Sequence, residues 1–424
     1  MLAEWLTLLE SRHPKIIDMG LERVEKVKKN LQLKFSCPVI MVAGTNGKGS
    51  TCATMESILL HAGYKVGMYT SPHFISFNER ARMNGRSVSN DMLVSSFEVI
   101  EGKRDNISLT YFEFTTLSIM YLLAKLKPDV AILEVGLGGR LDAVNVIDAD
   151  ISIVTSIDID HVEYLGDTRE KIGLEKAGIF RSGKAAICSD PEPPESLIKH
   201  ANKINADLRL LGRDFSFTGN KQQWNYQGKD QHRHSLNYPV LRGANQLLNA
   251  SAALAALEIL KYQVPVSAQE VRSGLATVNL PGRFQILPGE PLVILDVAHN
   301  PHAVATLAIN LDSMGFYPYT YAIFGTMIDK SIDVMLKKLS TQIDHWCFTD
   351  LPLARAAKSE DLQRYLLDGN FRSGDLKYST STFNSPEAAY ESVLAKAGVN
   401  DRIIVFGSFL TVAGVMAYRE PQSP

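Results

Sequence analysis

Residues 38–43 (PVIMVA) are a short apolar run, followed at once by Gly44-Thr45-Asn46-Gly47-Lys48-Gly49-Ser50. Met55, Ile58, Leu59 and Ala62 then recur at helical spacing, with Gly63 as a stop. A buried strand, a glycine turn and a helix in that order commit the stretch to a parallel α/β arrangement. The glycines let backbone N–H groups face an anion, the positive end of the helix dipole adds attraction, and Lys48 supplies a full charge. The general P-loop spacing is not met, because Gly44 stands three residues before Gly47 and Gly49 separates Lys48 from Ser50. A strand before and a helix after favour phosphate binding over a turn merely capped by Ser50.

The same rhythm continues. Residues 65–70, 129–135 and 151–157 read as further strands, with a helix over 114–126. Residues 213–241 scatter Phe215, Phe217, Trp224 and Tyr226 among Gly, Asn and Gln, and read as a β-rich excursion at the surface. The turn-rich stretch Leu280–Pro291 is the candidate hinge. Beyond it come strand 292–297, helix 302–314, strand 320–325, helix 331–339, strand 344–349 and strand 402–406. The expectation is an α/β chain of two parts. Residues 1–286 would form a P-loop ATPase-like domain with a mostly parallel sheet, and 287–424 a smaller Rossmann-like α/β domain. In such sheets ligands sit at the carboxyl ends of strands, so polar residues just after apolar runs are where chemistry belongs.

Charge narrows the partners. Lys plus Arg number 44 against 46 Asp plus Glu, a net charge of −2. A near-neutral chain has no global pull toward nucleic acid or an anionic membrane, so any anion must be held by a local site. The longest apolar run, Phe114 to Ala124, is too short to span a bilayer. Glu4 stands where a secretory leader would carry positive charge. Cys37, Cys52, Cys188 and Cys347 are far apart, as expected of reduced thiols in a cytoplasmic protein.

Four further polar clusters close apolar runs. In Tyr69-Thr70-Ser71-Pro72-His73 a hydroxyl could ligate Mg²⁺, although Ser-Pro after a strand is usually just a turn. Glu134, inside Ile132-Leu133-Glu134-Val135-Gly136-Leu137-Gly138-Gly139-Arg140, needs a metal, a cation or a raised pKa, since an unpaired buried carboxylate is costly. A salt bridge to Arg140 is the alternative. The glycines here lack the third member of the dinucleotide fingerprint, which argues against a nicotinamide site. His161 ends Ile157-Asp158-Ile159-Asp160, and with Ser71 and Glu134 it would complete an oxygen-and-nitrogen shell for magnesium. Lys176 alone reads as a solvated helix lysine. In the second half, Asp296-Val297-Ala298-His299-Asn300-Pro301-His302 places a dense polar set before a helix.

Together GTNGKGS (44–50), YTSPH (69–73), EVGLGGRLDAVN (134–145), DIDH (158–161), EKAGIF (175–180), LPGRF (280–284), DVAHNPH (296–302) and GSF (407–409) resemble folylpolyglutamate synthases of the Mur ligase superfamily. IDMGLER (17–23) and LTYFEF (109–114) resemble the pterin-binding segments of its bifunctional bacterial branch. The resemblance implies an ATP-dependent ligase that joins L-glutamate to dihydropteroate and adds γ-linked glutamates to reduced folates. It assigns Thr45, Asn46, Gly47 and Lys48 to ATP phosphates, with Asn249, Arg283 and Asp296 as further ATP contacts. Ser71, Glu134 and His161 become ligands for one or two Mg²⁺ ions. Asp18, Met19, Gly20, Leu21, Thr110, Tyr111, Phe112, Glu113, Leu141, Asp142 and Ala143 match the dihydropteroate segments. Lys176 matches a lysine that the family carries as a carbamate, and His299 and Ser408 are weaker candidates. The implied partners are small molecules only, with no nucleic acid and no membrane, for a monomer whose domains close about the hinge. A folylpolyglutamate synthase without the dihydropteroate reaction, and a non-catalytic nucleotide-binding regulator, are the competing readings.

Overall fold

The computed structural model describes residues 1–15, 17–220, 222–241, 243, 245–369, 371 and 379–419. They divide into two compact units, one of Met1–Val240 with Gln246–Asn279, the other of Leu241–Asn245 with Leu280–Pro424.

The first unit is built on eight strands: β1 (Val39–Ala43), β2 (Val66–Tyr69), β3 (Ala81–Met83), β4 (Arg86–Ser87), β5 (Val130–Glu134), β6 (Ile151–Val154), β7 (Ala185–Cys188) and β8 (Asp207–Leu210). Their order is β4-β3-β2-β5-β1-β6-β7-β8. All neighbours are parallel except the β2–β3–β4 edge, which closes on the Asn84-Gly85 turn with both residues at positive φ. Every residue of β1 and β5 is buried, the pattern of a strand covered on both faces. Alternation decides which cover each side chain meets. Val39, Met41 and Ala43 join the core shared with helices Glu22–Leu31, Asn90–Lys103 and Tyr111–Leu126. Ile40 and Val42 face helices Lys48–His61, Gln246–Ile259 and Ala268–Thr277.

On that second face also lies an antiparallel sheet of β9 (Ser216–Gly219), β10 (Gln223–Gln227) and β11 (His232–Asn237). The expected β-rich excursion is therefore real, but it is no surface ornament. Trp224 and Tyr226 are fully buried in the same core as Val42.

The second unit has six strands: β12 (Gln285–Leu287), β13 (Leu292–Leu295), β14 (Thr320–Phe324), β15 (His345–Thr349), β16 (Ser379–Phe383) and β17 (Arg402–Phe406). They run in the order β12-β13-β17-β14-β15-β16, and only β12 is antiparallel to its neighbour. The stretch read as a hinge thus contains a strand bonded to β13, and contacts group residues from Leu280 onward, ahead of residue 287, with the second sheet. Among the described residues no helix is long and apolar enough to cross a membrane.

Candidate active site

Strand order brings the polar clusters of the first unit together. The carboxyl ends of β2, β5, β1 and β6 are consecutive in the sheet, and they lead into Ser71, Glu134, the glycine loop and the 155–161 segment.

The loop is held by hydroxyl and backbone bonds from beyond β6. Thr45 N–H donates to Ser156 O at 2.7 Å. Ser156 Oγ accepts the Asn46 N–H at 3.2 Å and donates to Asn46 O at 3.0 Å, where Thr155 Oγ1 also donates at 2.7 Å. Residues 151–157 were expected to be all strand. β6 ends at Val154 instead, because these hydroxyls turn the backbone into a brace for the loop. Two glycines are required here. Gly44 lies at φ 153°, and a Cβ on it would come 1.8 Å from Thr155 Oγ1. Gly47 lies at φ 92°, and its Cβ would come 2.3 Å from Asn249 Oδ1.

No side chain caps the helix that begins at Lys48, so its first amides face the loop rather than an internal partner. The Lys48 ammonium folds back onto Gly44 O (3.0 Å) and Thr45 O (3.4 Å). The Thr45 hydroxyl is committed elsewhere, donating to Asp158 O and accepting the Asp158 N–H, both at 3.0 Å. An anion at this loop therefore meets backbone amides and Lys48, while Thr45 ties the loop to the segment carrying His161.

Glu134, at the end of β5, is buried and accepts the Ser71 N–H at 3.2 Å. Arg140, the alternative partner for Glu134, pairs with Glu175 at 2.8 Å. His161 sits at φ 51° before the short helix Val162–Leu165, its N–H donating to Asp160 Oδ1 at 2.8 Å. The approach to it is clamped by residues the sequence reading missed. Asp190 accepts the Ile157 N–H at 2.6 Å, and Arg169 donates to both Ile157 O and Asp190 at 2.9 Å. No group of three His, Cys, Asp or Glu converges among the described residues. A divalent ion beside Ser71, Glu134 and His161 would thus need outside oxygens, which fits a hard cation shared with phosphates and water.

Lys176 lies in the last turn of helix Arg169–Ala177 and is buried rather than solvated. Burial, reinforced by the Lys48 charge, lowers its pKa to about 7, against the pull of Asp160 and Asp142. Asp142 caps the turn Ala143–Val146, accepting N–H bonds from Val144 (3.0 Å) and Leu137 (2.8 Å). Burial raises its carboxyl to about 6, partly offset by those bonds.

The two pterin-like segments meet through Arg23. Its guanidinium donates to Glu113 Oε1 (2.8 Å) and to Asp18 O (2.8 Å), and pairs with Asp18 Oδ2 at 2.8 Å. A hydrogen bond from Lys15, then the Arg23 charge, holds the Asp18 carboxyl below its ordinary value. Glu113 and Thr110 also form a capping box for helix Tyr111–Leu126, so their polar atoms organise the helix start. The Phe112 ring lies where a Cβ on Gly136 would be, at 2.4 Å, which sets it next to the Asp142 turn. Met19, Gly20 and Leu21 are half-buried beside Asp18, as is Leu141 beside the buried Asp142 and Ala143.

In the second unit, Asp296 closes β13 and accepts N–H bonds from Phe284 (2.9 Å) and Ala298 (2.8 Å). Burial raises its pKa, and Arg283 opposes the shift. Arg283 lies 5.3 Å over the Phe409 ring, and His299 Nδ1 bonds Val297 O at 2.8 Å. Asn300 caps helix Pro301–Asp312 through Ala303 N–H.

An uncapped helix start beside a buried carboxylate, on a parallel sheet followed by a second α/β unit, is the arrangement expected of the class of nucleotide-dependent ligases. Family models agree on both parts: the Mur ligase middle domain matches residues 42–257, and the Mur ligase glutamate ligase domain matches 282–409. Dihydrofolate synthase/folylpolyglutamate synthase of Escherichia coli is 43% identical over 416 residues, covering 98% of this chain and 94% of that protein. The structure of E. coli FolC in complex with DHPP and ADP superposes with a TM-score of 0.92 at 42% identity, covering 98% of this chain and 97% of the other. The bifunctional enzyme from Yersinia pestis complexed with AMPPNP and Mn ion gives 0.89 at 42% identity, with the same coverage. The chain belongs to the Mur ligase family, in its dihydrofolate synthase/folylpolyglutamate synthase branch.

Proposed function

We propose that this chain is an ATP-dependent ligase that joins L-glutamate to dihydropteroate, giving dihydrofolate, and adds γ-linked glutamates to reduced folates. The observation that carries it is the uncapped helix start with Lys48, braced beside the buried Glu134 on adjacent strand ends. A carboxylate is a poor electrophile. Its oxygen therefore attacks the γ-phosphorus of ATP, ADP leaves, and an acyl phosphate forms. The amine of glutamate then attacks the acyl carbon, phosphate departs and the nitrogen loses a proton.

Such transfer needs positioning and charge neutralisation more than covalent help from the protein. Lys48 moves from its own loop carbonyls to the transferring phosphoryl group, and the amides after Gly47 hold the neighbouring oxygens. Ser71, Glu134 and His161 would hold Mg²⁺, whose charge would offset the phosphate oxygens. Asn249, packed against Gly47, flanks the nucleotide. Arg283 and Asp296 add nucleotide contacts, and His299 is a further catalytic candidate, with Ser408 a weaker one. Met19 to Leu21, Tyr111, Phe112 and Leu141 to Ala143 line the pterin side, with Asp142 as its polar anchor.

With a pKa of about 7, much of the Lys176 amine is neutral at physiological pH. Its nitrogen can then attack carbon dioxide and lose a proton, becoming a carbamate. That exchanges a buried cation for an anion on the metal side. The four cysteines are free thiols, which supports a cytoplasmic enzyme, and we take the monomer as the working unit.

The test is ADP release with glutamate plus either dihydropteroate or tetrahydrofolate. Turnover of both is expected. Turnover of tetrahydrofolate alone would select a monofunctional folylpolyglutamate synthase, and nucleotide binding without ADP from either would select a regulator.

A further inference from the structure

Arg80 ends the short helix Phe77–Arg80 in the segment that follows Ser71. Its backbone O accepts the Thr70 N–H at 3.1 Å, tying it to the strand end that carries Ser71. Its Nε donates to His73 Nδ1 at 2.8 Å. The guanidinium carbon lies 5.3 Å from the Phe77 ring centroid and 6.0 Å from that of Tyr111, the first residue of the pterin-side helix. Rings at these distances hold a guanidinium by its face and leave the edges open to acceptors.

Most other half-buried arginines of this unit have carboxylate partners, among them Arg12 with Glu101, Arg23 with Asp18 and Glu113, Arg82 with Glu56, and Arg169 with Asp190, while Arg272 donates to His234 O at 3.4 Å. Arg233 instead donates to the Gln231 side-chain oxygen and Val266 O. Arg80 is half-buried, yet among the described residues no carboxylate pairs with it. The neighbouring Glu79 is spent on the N–H groups of Phe74, Ile75 and Ser76. A partly desolvated guanidinium whose two NH₂ groups have no hydrogen-bond partner among the described residues is poised for a planar anion that binds both at once.

Resting on the ligase reading above, we propose that Arg80 is a binding residue for a carboxylate of the acyl substrate, held rigid by His73 and the two rings between the Ser71 loop and the pterin side. A carboxylate binds the fork edge-on through two parallel N–H···O bonds, while the aromatic faces fix the plane. Two carboxylates could fill this role. One is the reacting group that dihydropteroate and reduced folates share; the other is the α-carboxylate that only a substrate already carrying glutamate possesses.

Steady-state kinetics on Arg80→Gln and Arg80→Lys, with the parent protein alongside, test this. Parent turnover tests the ligase reading by itself, so its failure is distinct from failure of the Arg80 assignment. The expected result is a KM raised at least tenfold for the acyl substrate in Arg80→Gln, with KM for ATP within twofold and partial recovery in Arg80→Lys. A rise with both substrates assigns the reacting carboxylate, and a rise with tetrahydrofolate alone assigns the α-carboxylate. As a control, 6-hydroxymethylpterin, which has no carboxylate, is used as a competitive inhibitor. Its inhibition constant should match between parent and Arg80→Gln. An unchanged acyl-substrate KM would overturn the proposal, as would an inhibition constant that rises in step with KM.

Discussion

The glycine loop and the Arg23 edge lie in the same unit and are held in place by opposite means. The loop is fixed by uncharged bonds: the Thr155 and Ser156 hydroxyls, the Thr45–Ser156 backbone pair and the tight approach of Asn249 to Gly47. Its single charge, Lys48, bonds carbonyls of its own loop and, on the proposed function, would turn to the ligand. At the pterin edge the charges themselves are the scaffold, since Arg23 spends its donors on Asp18 and Glu113. On the proposed function, recognition there would fall to backbone, rings and the buried Asp142. The contrast teaches that a charged residue in a motif can be either reagent or mortar, and that its partners decide which.

The contrast can be broken most directly at Lys48. Lys48→Ala should lower ADP release with either pterin roughly 10²- to 10³-fold while the thermal midpoint stays put. A large loss of stability would make Lys48 part of the scaffold after all. Arg23→Gln should do the reverse. It should raise KM for dihydropteroate roughly tenfold, about 1.4 kcal/mol, and lower the melting temperature, because Asp18 and Glu113 lose their shared donor. An equal rise in KM for ATP would show that the two halves are not separable.

Lys176 supplies the next test. Its folded pKa of about 7 lies below the ordinary 10.5, so folding penalises the protonated amine below pH 7. The penalty fades as pH rises from about 7 toward 10.5. In buffer free of carbon dioxide, Lys176→Met should therefore melt above the parent at pH 6, with the gap closing by pH 10; calorimetry at the two pH values decides. Smallest is Thr155→Val, which removes one hydroxyl from the loop brace. It should cost about 1 kcal/mol, read as a several-fold rise in KM for ATP with the pterin constants unmoved.

Much of this was legible in the sequence where one physical demand dominates. β1, β5 and β17 are covered on both faces, so their apolar runs mark them almost to the residue. The glycine loop was legible because φ and close approach admit no other residue at Gly44 and Gly47. Long-range pairing was not legible. Nothing local says that Arg140 takes Glu175 rather than Glu134, that Lys176 is buried, or that Thr155 and Ser156 leave the sheet to brace Asn46. Trp224 and Tyr226 misled because their neighbours in the chain are polar, while their neighbours in space are not. Arg80 and His73 were invisible as a pair, since their bond needs the turn between them.

The wall that Asn249 forms behind Gly47 has a consequence for synthesis of the chain. A ribosome that has released residues 1–245 has already made every phosphate-side and metal-side motif, yet the helix Gln246–Ile259 that backs the turn does not exist. The backing of the glycine turn is thus a late product of translation, and a nascent or truncated front half would hold the loop's residues without the side chain that packs against Gly47.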